Sequence, residues 1–105
     1  VTNHRPAKHT NVLSLIRIAV ESDNYLETFH AQQRQGEREI ILPDILHVLL
    51  KGYHEKQKDQ FDTAWQNWNY AIRGRTISNQ ELRVIVAFDE VTSLLIITAF
   101  SIESR

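Results

Sequence analysis

The chain has 105 residues, 42% of them hydrophobic and 24% charged, with no cysteine and a formal net charge of -1. This composition describes one globular domain large enough to bury a core, and it excludes a disulfide framework, thiolate metal sites and a cysteine nucleophile together. The near-neutral balance argues against a broadly basic nucleic-acid binder and leaves local focusing of charge as the route to one.

Residues 1–10 carry His4, Arg5, Pro6, Lys8 and His9 with little to bury and read as a flexible basic arm. The arm lacks the apolar core of a secretion signal, and no later run reaches membrane-spanning length, so a soluble cytoplasmic protein with no membrane contact is expected. From Asn11 to Glu21, Leu13, Ile16 and Val20, joined by Val12, Leu15 and Ala19, make a helical stripe with Thr10 or Asn11 as its cap. Ser22-Asp23-Asn24 ends it. Tyr25, Leu26 and Glu27 can form a short extended piece before Thr28, whose hydroxyl can cap a helix carrying His30 and Arg34 that ends or kinks at Gly36. Pro43 suits the first turn of a further helix, with Asp44 at its positive end, Ile45, Val48 and Leu49 as the buried stripe, and Lys51-Gly52 closing it.

After Gly52 the pattern turns to strand. Tyr53 to Asp62 is polar and weakly patterned, an edge strand or a long loop. Trp68, Tyr70 and Ile72 alternate with Asn69, Ala71 and Arg73 as a half-buried strand does, and Thr76 to Glu81 makes a turn. Leu82–Phe88 and Leu94–Phe100, separated by Asp89-Glu90, read as a central antiparallel hairpin buried on both faces. The expected architecture is a single α+β domain over 1–105, with the arm at 1–10, a helical part at 11–52 and a sheet at 53–102. Its N-terminal helices cover one face of a three- to four-stranded antiparallel sheet.

Three basic groups carry candidate chemistry. His30, Arg34 and Arg38 recur every four residues and can share one helix face, although Gly36 loosens the inference for Arg38. Cleaving RNA by transesterification needs a base for the 2′-hydroxyl proton, cations for the phosphorane and an acid for the 5′-oxygen. His30 titrates near neutrality and can act as base or acid, while Arg34 and Arg38 stay charged and grip phosphate through paired N–H groups. The plainer reading is a solvated basic face with a histidine capping a carbonyl. Arg73-Gly74-Arg75 is the second group: Gly74 permits close approach of a phosphate or of another backbone, and both arginines leave the strand opposite Trp68 and Tyr70. An edge whose charges discourage aggregation explains them equally well. In the third group, Lys51, His54, Lys56 and Lys58, residues 54, 56 and 58 share a face if extended and could track a nucleic-acid backbone. The interleaved Glu55 and Asp59 favour edge protection instead.

Phe61, Trp65, Trp68 and Tyr70 offer surface for stacking on bases, but such residues more often pack a core or an interface, and Asp59 and Asp62 favour a protein partner. The spacings His4/His9 and His47/His54 support no zinc site, and neither metal nor cofactor is expected.

Two motifs in order carry a family resemblance. The first is Phe29-His30-Ala31, Arg34, Glu37-Arg38, Ile40 and Asp44-Ile45. The second runs from Tyr70-Ala71-Ile72-Arg73-Gly74-Arg75 through Leu82-Arg83-Val84-Ile85-Val86 to Ile96-Ile97-Thr98-Ala99-Phe100. From about Tyr25 to Ser101 the chain resembles an uncharacterised bacterial domain family related to the RelE, HigB and BrnT toxins, within the barnase-like group of ribonuclease folds. The resemblance implies a RelE-like fold and a small toxin-type ribonuclease that cleaves RNA without metal, with RNA rather than DNA as ligand and an antitoxin protein as partner. It implies that His30, Arg34 and Arg38 face a concave sheet contributing Arg73, Arg75 and Thr98. For Thr98, a hydroxyl bonded to backbone is the competing account. The preceding helix and the aromatic-acidic stretch Phe61 to Trp68 depart from the family pattern and support the alternative, a catalytically inactive protein-binding module or homodimeric interaction protein of the same fold.

Overall fold

A computed structural model describes residues 5–28, 39–90 and 93–102 of the chain. Helix α1 spans Val12–Glu21 and helix α2 spans Leu42–Lys51. The strands are β1 (Tyr25–Glu27), β2 (Tyr53–His54), β3 (Gln60–Asp62), β4 (Asn67–Arg75), β5 (Glu81–Asp89) and β6 (Ser93–Ser101), with one 3-10 turn at Lys56–Lys58 between β2 and β3. The helix that sequence periodicity places around His30 and Arg34 lies outside the described residues.

The sheet has six strands in the order β1-β6-β5-β4-β2, with β3 paired to β4 beyond β2. This corrects the expectation of three or four antiparallel strands in two ways. First, β1 pairs parallel to β6, Tyr25 opposite Leu94 and Glu27 opposite Ile96. Second, the polar stretch after Gly52 forms two short strands along one edge of β4, with Tyr53 opposite Arg73 and His54 opposite Ile72, then Phe61 opposite Trp68. The central strands follow the predicted hairpin. A bulge falls where Ile85 pairs with Thr98 but Val86 pairs with Ile96, leaving Ile97 extra on β6, and its carbonyl accepts the Thr28 hydroxyl at 3.1 Å.

The core lies between the helices and one sheet face. Val12, Ile16, Ala19 and Val20 of α1 and Ile45, Val48 and Leu49 of α2 are buried with Tyr70 and Ile72 of β4, Leu82, Val84 and Val86 of β5, and Leu94 and Ile96 of β6. Each large side chain fully removed from water here contributes about 1.5–3 kcal/mol. The opposite face, called here the outer face, is half-buried at Ile85, Thr98 and Phe100, so the central hairpin is sealed on one side and not on both.

Local caps fix the helices. Asp23, at φ 56, turns the chain out of α1 so that Asn24 N–H donates to Ala19 O at 2.7 Å. Arg17 reaches from α1 to the end of α2, donating to Leu50 O at 2.9 Å and Gly52 O at 3.1 Å. Gly52 ends α2 with φ -80, so the glycine is not there to reach the left-handed region. Space is the reason: a Cβ on Gly52 would stand 2.5 Å from Arg73 O and 2.6 Å from Val48 O, and one on Gly74 would stand 3.0 Å from Gly52 Cα. The two glycines let α2 run directly onto β4.

Residues 5–10 lie along the start of β4. Pro6 O accepts the Trp68 indole N–H at 2.7 Å, and the Tyr70 hydroxyl accepts His9 N–H at 3.0 Å. Arg5 lies over the Phe61 ring and Lys8 over Trp68, 5.1 and 4.9 Å from the ring centroids. Lys8 also pairs at 2.8 Å with Asp59, whose side chain is 1% exposed. Asp59 accepts from Ala71 N–H at 2.9 Å, replacing the backbone bond that β4 loses where the 3-10 turn interrupts its edge. Because the atoms facing Gly52 Cβ would be backbone, Gly52→Ala is expected to destabilise the fold by about 1–3 kcal/mol, read as a lower urea midpoint with an unchanged slope.

Candidate functional site

Strand parity and register assemble the candidate site. Odd residues of β4 leave its outer face, and the antiparallel pairing sets Arg73 opposite Arg83 and Arg75 opposite Glu81. Continuing across the sheet, Tyr53 of β2 pairs with Arg73 and Phe100 of β6 pairs with Arg83. One row therefore reads Tyr53, Arg73, Arg83, Phe100 across four strands. Arg83 lies over the Phe100 ring, 5.6 Å from its centroid, and the Tyr53 side is 54% exposed.

Two arginines directly opposite each other repel. Glu55, buried at 5% exposure, resolves this by accepting from Arg83 Nε at 2.7 Å and from Arg73 at 3.2 Å. Glu81 accepts from Arg73 Nε at 2.6 Å, also meets its terminal nitrogen, and lies 3.5 Å from Arg75. The network alternates Arg83, Glu55, Arg73, Glu81, Arg75 and keeps one excess positive charge. Arg83, ahead of the opposing effect of burial and the help of Arg73, holds the Glu55 carboxyl below its ordinary 4.5. Glu81 foremost raises the Arg73 pKa above its usual value. Both carboxylates thus act as positioners of guanidiniums, and the lowered pKa keeps Glu55 ionised at neutral pH.

The residues singled out from sequence fall in several places. Arg73 and Arg75 share the outer face as parity predicts, and Thr98 lies on that face beside Ile85, one row from Arg83. His54 is on the opposite face, its Nε2 2.8 Å from Asp59 and its ring edge-on to Tyr70. Lys56 and Lys58 belong to the 3-10 turn, so no extended face unites them with His54. Lys51 is the exposed last residue of α2, where its charge suits the helix end. Among the aromatics, Phe61 and Trp68 pack edge to face, Tyr70 is core, and Trp65 is 82% exposed at the hairpin tip. His30, Arg34 and Arg38 lie outside the described residues.

Sequence reading missed Arg83, Glu55 and Tyr53. Arg83 is embedded in an apolar run, and the other two acquire meaning only through the register of β2 against β4. A separate concavity of about 1280 Å³, bordered by α1 and the hairpin ends, is lined among the described residues by Asp62, Asp89 and Glu90 and by no lysine or arginine. Among the described residues no three His, Asp or Glu side chains converge to hold a metal ion, and no helix is long and apolar enough to cross a membrane.

A carboxyl whose native pKa is depressed stabilises the fold above its ordinary value and loses that contribution as pH falls through the native one. Glu55→Gln is therefore expected to cost about 1–3 kcal/mol at neutral pH. The gap to the parent protein should close as pH is lowered from about 5 to about 3, measured by urea unfolding at each pH.

Comparison with known proteins gives a family and no closer relative. No curated protein and no solved structure matches the chain. The first motif from His30 onward, the whole of β4 and β5, and β6 through Ser101 all fall within residues 28–101, which match a domain family of unknown function, DUF4258. With that match covering well over half of its length, the chain belongs to the DUF4258 family.

Proposed function

We propose that this protein is a toxin-type ribonuclease of RelE-like kind that cleaves RNA without metal. The observation that carries the reading is the set of three guanidiniums, Arg73, Arg75 and Arg83, aligned on one sheet face by Glu55 and Glu81. Guanidiniums pre-oriented in this way can receive a phosphodiester and neutralise the charge that develops on the phosphorane, without reorganising during the reaction. The resemblance of the first motif to toxin-type nucleases supplies the remaining roles. His30 takes the 2′-hydroxyl proton or returns one to the 5′-oxygen, Arg34 and Arg38 add to the phosphate grip, and Arg75 binds the flanking backbone. In this reading the protein acts in the cytoplasm and an antitoxin protein restrains it.

One observation favours the second reading, an inactive protein-binding module or homodimer of the same fold. Arg73 already gives its donors to Glu55 and Glu81, which leaves it less free for phosphate. A cleavage assay separates the two. The purified protein is expected to cut RNA in the presence of EDTA, and Arg73→Ala to lower kcat/KM by about 10²–10³-fold. Arg34→Ala and Arg38→Ala are expected to abolish cleavage, and growth arrest on expression, with thermal unfolding nearly unchanged. Intact RNA at micromolar protein, or a large stability loss in the Arg34 and Arg38 variants, would reject the nuclease roles.

A further inference from the structure

Among the described residues, no other ring packs against Tyr53. It occupies a two-residue edge strand, the residue is 54% exposed, and it stands opposite Arg73, close enough to act electrostatically on that guanidinium. Buried aromatics elsewhere in the fold have packing partners: Tyr70 has His9, His54 and Phe88, and Trp68 has Phe61. An exposed ring on a sheet edge normally carries a cost in solubility, and neighbouring positions such as Lys51, Lys56 and Lys58 are charged.

The ring's setting gives it a use. It begins the row Tyr53, Arg73, Arg83, Phe100, whose ends are three strand spacings apart, roughly 14 Å. Cations occupy the middle of the row and π-faces its two ends, with Phe100 backing Arg83. This is the arrangement that grips a sugar-phosphate backbone centrally and holds splayed bases at the margins. A base within a duplex is stacked on both sides and cannot lie on a protein ring, whereas an unpaired one can.

We propose that Tyr53 is the base-stacking platform of the outer face and that the ligand it selects is single-stranded RNA. The proposal rests on the ribonuclease reading for the identity of the ligand and adds the strandedness and the specificity-determining residue. Tyr53 stacks on one unpaired base, Arg73 and Arg83 hold the adjoining phosphate, and Arg75, 58% exposed on its side chain, reaches the next one. Tyr53 touches no reacting atom and tunes KM, leaving kcat nearly unchanged.

Anisotropy of a fluorescein-labelled, 2′-O-methyl single strand, which cannot be cleaved, tests this without turnover. Tyr53→Ala is expected to weaken binding about tenfold or more, Tyr53→Phe to stay within about twofold of the parent, and the matching duplex to bind weakly and equally to all three proteins. The unfolding midpoint of Tyr53→Ala should match the parent, because the ring is exposed. Unchanged single-strand affinity in Tyr53→Ala, alongside weakened binding in Arg75→Ala, would overturn the stacking role and leave the ribonuclease reading intact. Equal affinity of the parent for duplex would overturn the strandedness. Absence of binding to either RNA by the parent would overturn both readings, while tight Tyr53-dependent binding with no cleavage of ordinary RNA would uphold stacking and remove the nuclease.

Discussion

Arg73 and Arg83 face each other across adjacent strands, and the outer face holds together because Glu55 lies between them. Without that carboxylate the pairing of β4 with β5 would set two permanent cations side by side, which destabilises the pair. Glu55 reaches this position because its own N–H continues the β2 ladder, donating to Ala71 O at 2.9 Å, before the chain leaves into the 3-10 turn. The short edge strand is therefore a device for delivering one buried carboxylate. Glu81 repeats the arrangement one row further on, and the two together hold three guanidiniums in fixed orientation at the expense of most of their charge.

The other face of β4 follows a different logic. Tyr70 and Ile72 are buried against the helices, and Gly74 and Gly52 remove side chains where α2 meets the strand. One nine-residue strand thus has an apolar side that anchors the core and an ionic side that organises a surface. The N-terminal arm adds to the first of these through Trp68, Tyr70 and Asp59, so its basic residues are spent on aromatic faces and a buried carboxylate of the helix side.

Much of this was legible in the amino-acid order. The 3.6-residue stripe gave α1 within a residue of its observed limits, Pro43 and Gly52 bracketed α2, and alternation around Tyr70 marked β4 and the side its arginines leave. What escaped depended on distant pairing. The extended piece expected at Tyr25–Glu27 is found, but its parallel alignment with β6 has no local signal. The two-piece edge of β2 and β3 defeated pattern reading because Glu55 and Asp59, polar in sequence, are turned inward to arginines, a lysine and a backbone N–H. Arg83 was hidden for the opposite reason, as a single charge in an apolar strand whose outer side is only half-buried.

The parallel strand also governs how the chain can assemble. Among the described residues β1 pairs with β6 alone, and the Thr28 and Ile97 groups that seal their junction are 69 positions apart. Closing so long a loop carries an entropic penalty that local helix formation does not offset, and topologies of this kind fold slowly for their size. During synthesis β1 precedes β6 and must wait for it, and until β6 has emerged the free margin of the sheet belongs to β5. Nascent chains paused before that point would present an unfinished sheet to chaperones and to one another.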